Sequence, residues 1–492
     1  MLLQNLIASS EGLKLQTPDI PITGIDIKGI TTDSRNVKPG FLFVAVPGTK
    51  EDGSLYIDQA IQQGAVAVLI AEGKISDVKI PVITAPHIRK SVSAIASVFY
   101  PGQPEMVAAI TGTSGKTSTA QFVREMWKGI GHKSASIGTL GLITDDESRY
   151  GSLTTPGAIA LHELLDECAG KGITHLALEA SSHGIDLNRL DHIHIKVAGF
   201  TNLSRDHLDY HETLENYFNA KLRLFTGLMP IGGIAVLNAD IPEFIQLEAG
   251  AATRGLKVIS YGLKGNDIRL MESKPDAKGQ HLRLEVFGKE YAVLLPVMGS
   301  FQAWNALCAL GMVIGSGAAT DKAVAALEKV SDVPGRLQLA GISKKGGTVF
   351  IDYAHKPDAL EKVLLALRPH VAAHQGSKLG VIFGCGGNRD KGKRPIMGEI
   401  AQRLADWVIV TDDNPRHEEP ALIRQEILAG CKPGPMLQEM GDRHQAIEAG
   451  ISKLQQGDVL VIAGKGHESG QIVGDQTMPF DDVAVAREVL GL

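Results

Sequence analysis

A glycine-rich stretch, GTSGKT at positions 112–117, follows an apolar run and precedes a segment of helical character. Glycines allow backbone N–H groups to point towards phosphate oxygens, Lys116 adds a positive charge, and Thr117 offers a hydroxyl to Mg²⁺ at the start of the helix. The usual phosphate-loop pattern has a further glycine where this chain has Ile110. A turn with an incidental lysine is the alternative, but the preceding strand and the adjacent lysine and threonine favour phosphate binding.

Two polar residues lie further along the chain, after apolar runs that predict strands. Glu179 ends one such run, and His207 lies shortly after another. Ligands of open α/β sheets bind at the carboxyl ends of the strands. Mg²⁺ prefers oxygen ligands, so Glu179 is the natural metal ligand and His207 the less expected one. A solvated residue at a strand end is the alternative for each.

A lysine interrupts the apolar stripe of a predicted helix. The stripe has helical spacing and consists of Leu214, Phe218, Lys221, Leu222 and Phe225. An unpaired ammonium is costly to bury, so Lys221 must extend its ammonium to water, lower its pKa or be chemically modified. The periodicity alone favours extension to water, which is the commonest outcome.

Charged residues also follow three predicted strands in the last third of the chain. These residues are Arg389, Asp413, Arg416 and Glu468. Two guanidinium groups can bind carboxylates in a bidentate way, and two carboxylates can hold an ammonium. The set therefore suits an amino acid with charges at its distant end. A network of surface ion pairs is the alternative.

The elements that would position these groups alternate between strands and helices. In the middle of the chain, strands are predicted at 134–144, 175–179, 194–201, 233–238 and 257–261. This alternation is typical of a parallel sheet with helices on its faces. The residues at 281–286 alternate between polar and apolar, and with the run near 291–296 they predict an antiparallel ribbon.

The length of 492 residues exceeds what one hydrophobic core usually supports, and it predicts roughly three domains. Proline and glycine at 101–104 mark a linker. We therefore expect a three-domain α/β protein: a small α/β domain at 1–98, a central phosphate-loop domain with a parallel sheet and an antiparallel appendage at 99–332, and a Rossmann-like domain at 333–492.

Composition narrows the classes of partner. The formal net charge of −6 and the pI near 6.3 argue against nucleic-acid binding, which normally requires a basic surface. The four cysteines lack metal-binding spacing and predict reduced thiols, as in a cytoplasmic protein. No basic leader and no apolar stretch of membrane-spanning length is present in the sequence. We expect a cytoplasmic chain without a membrane span.

Taken together, these motifs resemble those of the Mur ligases of cell-wall precursor synthesis, whose shortened phosphate loop also lacks the first glycine. The resemblance implies a carbamoylated Lys221 and Mg²⁺ held by Thr117, Glu179, His207 and modified Lys221. It implies catalytic roles for Lys116, His207 and Lys221. The ATP-binding residues that it implies are Gly112, Thr113, Ser114, Gly115, Lys116, Thr117, Ser118, Asn305, Arg336 and Asp352.

The resemblance also implies the two other substrates. It gives the first domain a nucleotide sugar, a UDP-muramoyl dipeptide. The residues implied to contact this substrate are Ser34 in the first domain and Thr154, Thr155, Ser181 and Arg189 in the central domain. The sequence DNPR at 413–416 resembles the motif of members that add meso-2,6-diaminopimelate. The residues implied for that amino acid are Arg389, Asp413, Asn414, Pro415, Arg416, Gly464 and Glu468.

The expected activity is an ATP-dependent ligation that joins meso-2,6-diaminopimelate to the D-Glu γ-carboxylate of UDP-N-acetylmuramoyl-L-Ala-D-Glu, in a monomer that uses Mg²⁺. Two alternatives remain open from the residues. The chain could add L-lysine or another group, as other Mur and folylpolyglutamate-type ligases do. It could also belong to a different class, a phosphate-loop switch that couples hydrolysis to a partner.

Overall fold

The computed structural model describes residues 1–8, 10–48, 51–74, 78–151, 153–276, 279–372 and 376–492. The chain forms two compact units, one of residues 1–266 and 308–323, the other of residues 267–307 and 324–492. Within the described ranges, every helix is too short or too polar to cross a membrane.

The first unit begins with a small sheet in the order β1-β5-β4-β3-β2, in which only β1 runs antiparallel to its neighbour. Its apolar strands pack against helices that cover both faces. The strands are β1 Lys14–Leu15, β2 Gly29–Thr31, β3 Phe41–Val44, β4 Ala65–Ala71 and β5 Val82–Ala85. The helices are α1 Leu3–Ala8, α2 Ile57–Gln62 and α3 Ile88–Phe99.

A second sheet of the same unit carries the phosphate loop, and its strands run parallel in the order β13-β12-β11-β6-β10-β7. The strands are β6 Met106–Thr111, β7 Ser134–Gly138, β8 Gly141–Ile143, β9 Ser148–Arg149, β10 His175–Glu179, β11 Ile195–Phe200, β12 Ile234–Asn238 and β13 Lys257–Gly262. The helices are α4 Lys116–Gly129, α5 Ala158–Gly170, α6 Ser182–Asp186, α7 Leu208–His211, α8 Leu214–Arg223 and α9 Phe244–Arg254.

The single strand predicted at 134–144 is wrong, because the chain reverses there. Strand β8 pairs antiparallel with β7, with Gly138 opposite Gly141. Gly141 has a φ of +80°, and a Cβ at this position would lie 2.0 Å from the carbonyl oxygen of Arg149. A glycine thus allows a tight turn that the run of apolar residues did not reveal.

The second unit begins with the predicted antiparallel ribbon, which the structure confirms. Strand β15 pairs with β14 on one side and β16 on the other, both antiparallel. The strands are β14 Ile268–Asp276, β15 Gly279–Val286 and β16 Lys289–Leu295. Two helices follow, α10 Ser300–Gly315 and α11 Thr320–Leu327, of which residues 308–315 and 320–323 belong to the first unit.

The rest of the second unit is a sheet in the order β17-β18-β22-β19-β20-β21, parallel except for the edge strand β17. A separate hairpin is formed by β23 and β24. The strands are β17 Gln338–Ile342, β18 Thr348–Asp352, β19 Leu379–Phe383, β20 Trp407–Val410, β21 Leu437–Glu439, β22 Val459–Ala463, β23 Gly470–Val473 and β24 Gln476–Pro479. The helices are α12 Pro357–Ala372, α13 Lys393–Leu404, α14 Pro420–Leu428, α15 Arg443–Lys453 and α16 Asp482–Leu490.

A fully buried ion pair ties the last helix to this sheet. Arg443 at the start of α15 donates two hydrogen bonds to Asp482 of α16, both at 2.7 Å. The same guanidinium donates to the carbonyl oxygens of Asp412 at 3.2 Å and Ala463 at 3.0 Å, at the ends of β20 and β22. Arg443 therefore fixes the two chain segments from which the loops at 412–416 and 464–468 begin.

We expect Arg443→Met to lower the free energy of unfolding of the second unit by about 3–5 kcal/mol, because Asp482 stays buried without its partner. Hydrogen–deuterium exchange in increasing urea, read at α15 and α16, measures the loss. Arg403→Met is the matched control, since its 2.7 Å pair with Glu361 is exposed to solvent and contributes little. Equal losses in the two variants would contradict this account.

Candidate active site

The strand, glycine-rich loop and helix predicted around positions 112–117 are confirmed. Strand β6 ends at Thr111 and helix α4 begins at Lys116, so the glycine-rich loop lies at the carboxyl end of a central parallel strand. Gly112 has a φ of +138°, and a Cβ on it would lie 2.0 Å from Thr201 Oγ1. Gly115 has a φ of +86° and is the N-cap of α4. The loop therefore requires glycine at both positions, and it aims a helix N-terminus at its own concave side.

The positively charged side chain of Lys116 contacts the backbone of the loop. Lys116 Nζ donates hydrogen bonds to the carbonyl oxygens of Gly112 and Thr113, each at 2.9 Å. Thr117 and Ser118 follow in the first turn of α4, and both are buried. Backbone N–H groups, a helix N-terminus and an ammonium together form an anion-binding site.

Glu179 lies beside this loop because its strand, β10, pairs with β6. Thr117 Oγ1 donates to Glu179 Oε2 at 3.0 Å, and the Thr139 amide donates to Oε1 at 2.8 Å. The carboxylate is 2% exposed, and Gly138 leaves it room, since a Cβ there would lie 2.1 Å from Oε1. A hydroxyl and a carboxylate oxygen at contact distance form a donor set that fits Mg²⁺.

Lys221 is buried, contrary to what the helical periodicity alone favoured. It lies on α8, which begins where the side chain of Thr213 accepts a hydrogen bond from the Asn216 amide. Only 1% of Lys221 is exposed, and its Nζ donates to the Gly112 carbonyl oxygen at 2.8 Å. Burial, reinforced by the nearby charge of Lys116, holds the pKa of Lys221 well below its usual range. A neutral amine in this position can react with carbon dioxide.

The apolar stripe that led to Lys221 differs in detail from the prediction. Leu214 is 43% exposed, while Tyr217, which the stripe did not include, is 1% exposed. The Tyr217 ring lies 4.3 Å from Lys221 Nζ, measured to the ring centroid. The aromatic face of Tyr217 thus covers the buried amine.

His207 lies in a short loop after β11, in a left-handed conformation with a φ of +53°. Its Nε2 is 3.5 Å from Asp206 Oδ2, and its ring centroid is 4.9 Å from that of His183. Across the described residues, no three His, Cys, Asp or Glu side chains converge as a metal-binding group. Among the four residues expected to hold the metal ion, Thr117 and Glu179 are in direct contact, at 3.0 Å.

Three of the residues expected to contact the nucleotide sugar are hydrogen-bonded together. Thr155 Oγ1 donates to the Glu179 carbonyl oxygen at 2.7 Å and lies 2.9 Å from Ser181 Oγ. Arg189 donates to the Thr155 carbonyl oxygen at 2.7 Å. Thr154 Oγ1 lies 3.1 Å from Thr139 Oγ1. Through the Glu179 backbone, this cluster adjoins the phosphate loop.

A cleft of about 710 Å³ lies in the first unit, between the loop after β2, helix α3 and the start of α5. Its lining includes four basic residues, Arg35, Lys38, Arg89 and Arg189. Ser34 is 6% exposed and bonds Gln59 Oε1 at 2.9 Å, so it supports the loop from behind while its neighbours line the cleft. Asp33 and Glu163 also line the cleft, and Asp33 binds Arg35 at 2.7 Å. The other three cations suit a phosphorylated ligand.

The second unit contains the remaining residues expected at the nucleotide. Asn305 donates to Gln302 Oε1 at 2.9 Å, and Gln302 Nε2 donates to the Arg336 carbonyl oxygen at 3.4 Å. Asp352, at the end of β18, accepts hydrogen bonds from two backbone amides at 2.8 Å each. Burial raises the pKa of Asp352 to about 6, against the lowering effect of the Arg336 charge.

The residues expected to bind the amino acid lie in the loops at the carboxyl ends of β19, β20 and β22, which we call the binding edge of the second unit's sheet. Asp413 and Asn414 are buried, and Asn414 Nδ2 donates to Glu468 Oε2 at 2.9 Å. Arg416 Nη1 donates to the Gly387 carbonyl oxygen at 2.9 Å. Close packing requires glycine here: a Cβ on Gly464 would lie 2.6 Å from Asp413 Oδ2, and one on Gly387 would lie 1.8 Å from the Pro415 carbonyl oxygen. Arg389 is exposed in the adjacent loop.

Two buried cations behind this edge were not identified as functional from the sequence. Arg394 is 0% exposed and binds Glu418 at 3.0 Å, Glu426 at 2.7 Å and the Gly386 carbonyl oxygen at 3.1 Å. Lys465 is also 0% exposed, between two glycines that follow β22. A lysine directly after a buried strand was the available signal for Lys465.

Three family models match most of the chain. The Mur ligase family catalytic domain matches residues 26–112, the Mur ligase middle domain residues 110–313, and the Mur ligase glutamate ligase domain residues 335–466. The chain belongs to the Mur ligase family. The predicted family and the three-domain α/β fold class are thereby confirmed.

Individual relatives are similar over nearly the whole chain. A UDP-N-acetylmuramoyl-L-alanyl-D-glutamate–2,6-diaminopimelate ligase of Bradyrhizobium diazoefficiens is 50% identical over 465 residues, covering 94% of each chain. A relative of the same name from Zymomonas mobilis is 44% identical and covers 98% of each chain. A solved structure titled with that activity is 32% identical, with a TM-score of 0.69 over 94% of this chain and 95% of its own.

Proposed function

We propose that this chain is an ATP-dependent, ADP-forming ligase that joins meso-2,6-diaminopimelate to the D-Glu γ-carboxylate of UDP-N-acetylmuramoyl-L-Ala-D-Glu, a step of peptidoglycan precursor synthesis. The observation that carries the proposal is the set of relatives that bear this activity in their names at 44–50% identity. The chemistry of three groups of residues supports it.

The first group binds ATP. The loop from Gly112 to Ser118 receives the phosphates, and Asn305, Arg336 and Asp352 bind the rest of the nucleotide. Thr117 and Glu179 hold Mg²⁺ with His207 and a modified Lys221. When bound, the metal ion supplies positive charge at the transferring phosphoryl group. The contact between Thr117 and Glu179 supports this assignment, because it brings two oxygen ligands together.

The second group binds the UDP-muramoyl dipeptide. This site consists of Ser34, Thr154, Thr155, Ser181 and Arg189. It holds the dipeptide end of the substrate close to the phosphate loop. The basic lining of the cleft in the first unit suits the diphosphate of a nucleotide sugar. Thr155 donates a hydrogen bond to the Glu179 backbone, which lies beside the phosphate loop. This contact supports a position of the dipeptide in which its carboxylate reaches that loop.

The third group recognises the incoming amino acid. Arg389 and Arg416 bind its distal carboxylate, while Asp413 and Glu468 hold its distal ammonium, supported by Asn414, Pro415 and Gly464. Diaminopimelate carries both charges at the end that does not react, whereas L-lysine lacks the second carboxylate. The presence of two guanidinium groups and two carboxylates in the loops after β19, β20 and β22 thus favours diaminopimelate.

The reaction has two steps. The γ-carboxylate attacks the ATP γ-phosphorus, ADP leaves, and an acyl phosphate forms. The free amine of diaminopimelate then attacks the carbonyl carbon, the tetrahedral intermediate expels phosphate, and the amine loses a proton. Lys116 and the amides of the glycine-rich loop stabilise the charge on the transferring phosphoryl group.

Lys221 takes part as a carbamate. Its neutral amine adds carbon dioxide and releases a proton. The product is a carbamate anion that can bind a metal ion. The low pKa of Lys221 and its contact with the same carbonyl oxygen that Lys116 binds support this change. The modification places a negative charge close to the positive charge of Lys116.

The domain boundaries remain those proposed from the sequence, at 1–98, 99–332 and 333–492, with nucleotide-sugar, ATP and amino-acid sites in that order. Separate sheets within these ranges support them. We also propose that the chain acts as a monomer in the cytoplasm, because its nucleotide and amino-acid substrates are made there. The alternative function, a phosphate-loop switch, does not explain why the third group contains two guanidinium groups and two carboxylates.

We expect ATP turnover to require both the UDP-muramoyl dipeptide and diaminopimelate. With L-lysine in place of diaminopimelate, kcat/KM falls roughly 100-fold or more, because Arg389 and Arg416 are left without a carboxylate. Phosphate release and product mass measure both quantities. Hydrolysis of ATP without an acceptor would favour a switch, and equal rates with L-lysine would contradict the assigned acceptor.

We expect Lys221→Ala to reduce kcat by about 100-fold or more, because the anion at this position is lost. Formate or acetate should partly restore the rate by entering the space that the side chain leaves. Lys221→Met is the matched control, since it fills that space and should not respond to added carboxylates. Full activity of Lys221→Ala without added carboxylate would contradict the carbamate.

A further inference from the structure

Lys465 has no part in the proposed chemistry, yet its whole side chain is buried beside the amino-acid site. Its Nζ lies 3.3 Å from Asn414 Oδ1, 2.5 Å from the Gly470 carbonyl oxygen and 3.6 Å from Glu468 Oε2. Burying an ammonium is costly unless carbonyl and carboxylate oxygens surround it. These three oxygens meet that requirement.

The contacts of Lys465 determine how the side-chain amide of Asn414 is oriented. Asn414 Oδ1 accepts from Lys465 and also from the Ile472 amide, at 2.9 Å. Both partners are donors, so the carbonyl end of the amide must face them. The NH₂ end therefore faces Glu468 and donates to its Oε2 at 2.9 Å.

Glu468 is thus held at one oxygen by two positively polarised groups. Asn414 and Lys465 both approach Oε2, and 30% of the Glu468 side chain remains exposed. This arrangement orients the carboxylate while its other oxygen, Oε1, can accept from a ligand ammonium. Lys465 also supplies positive charge close to an edge that already carries the carboxylate of Asp413.

The neighbouring buried cation, Arg443, pairs with a different carboxylate. Arg443 is neutralised by two 2.7 Å hydrogen bonds to Asp482. Lys465 instead has its ion pair with Glu468, a residue of the binding edge. Lys465 is therefore the buried cation that contacts Glu468 directly.

The hairpin formed by β23 and β24 completes this arrangement. The Gly470 carbonyl oxygen, which accepts from Lys465, begins β23. The same strand receives a hydrogen bond from the Arg416 amide at the Ile472 carbonyl oxygen, at 2.9 Å. Arg416 itself has a φ of +53°, a conformation that needs such support in a residue with a side chain. Lys465 thus joins the hairpin to the DNPR loop at 413–416.

We propose that Lys465 is a positioning residue for the amino-acid acceptor. It orients Asn414 and Glu468 so that Glu468 accepts the distal ammonium of diaminopimelate, and it does not contact the acceptor itself. This inference rests on the proposed function, because it takes diaminopimelate as the ligand of that edge.

The test compares Lys465→Met with the unaltered protein on two acceptors. Diaminopimelate carries the distal ammonium, whereas 2-aminopimelate keeps the reacting amine and both carboxylates but lacks that ammonium. We expect Lys465→Met to reduce kcat/KM for diaminopimelate by about 10-fold to 100-fold, mainly through KM, since a buried charged hydrogen bond is lost. For 2-aminopimelate, measured as substrate or as competitive inhibitor, the change should stay below about threefold.

Controls separate positioning from general damage to the fold. KM for ATP and for the UDP-muramoyl dipeptide should not change in Lys465→Met, and Lys465→Arg should recover part of the loss. Lys453→Met, at an exposed lysine of α15, should behave as the unaltered protein.

Equal losses with both acceptors, or a raised KM for ATP, would overturn the positioning role while leaving the proposed function intact. No product from diaminopimelate with the unaltered protein would overturn the proposed function, and the inference with it.

Discussion

The carboxyl end of strand β6 is the constraint on which the site depends. This strand pairs in parallel with β10 on one side and β11 on the other, with Ile110 opposite Glu179 and Thr111 opposite Phe200. Parallel pairing brings the ends of neighbouring strands to one edge. The phosphate loop, the Glu179 carboxylate and the loop that contains His207 therefore meet there. Without this register, the loop, Glu179 and the His207 loop would not lie at the same end of the sheet.

Both units bury basic side chains beside the loops that follow their strands. In the first unit, the Gly112 carbonyl oxygen accepts hydrogen bonds from both Lys116 and Lys221. Two ammonium groups at one oxygen repel each other, so a buried lysine here favours its neutral form or a modification that reverses its charge. In the second unit, Lys465, Arg394 and Arg443 are fully buried, and each has carboxylate partners. Both units thus use desolvated cations to fix the loops that follow their strands.

The sequence was sufficient for the local parts of this account. The glycine-rich loop between a strand and a helix, the antiparallel ribbon and the position of Lys221 on an apolar stripe follow from patterns within a few residues. The turn at Gly141 was missed because a positive φ leaves no trace in hydrophobic periodicity. The roles of Lys465 and Arg443 were missed because they depend on partners 51 and 39 residues away, which only the tertiary structure brings together.

The proposed ligation requires that the site at the end of β6 activates a carboxylate by phosphorylation. The most direct measurement uses UDP-muramoyl dipeptide labelled with oxygen-18 in both oxygens of its D-Glu γ-carboxylate, with ATP and diaminopimelate. An acyl phosphate requires that one labelled oxygen leaves with the phosphate and the other stays in the new amide. Mass spectrometry of the released phosphate should therefore find one oxygen-18 per turnover. Unlabelled phosphate formed together with product would contradict the account.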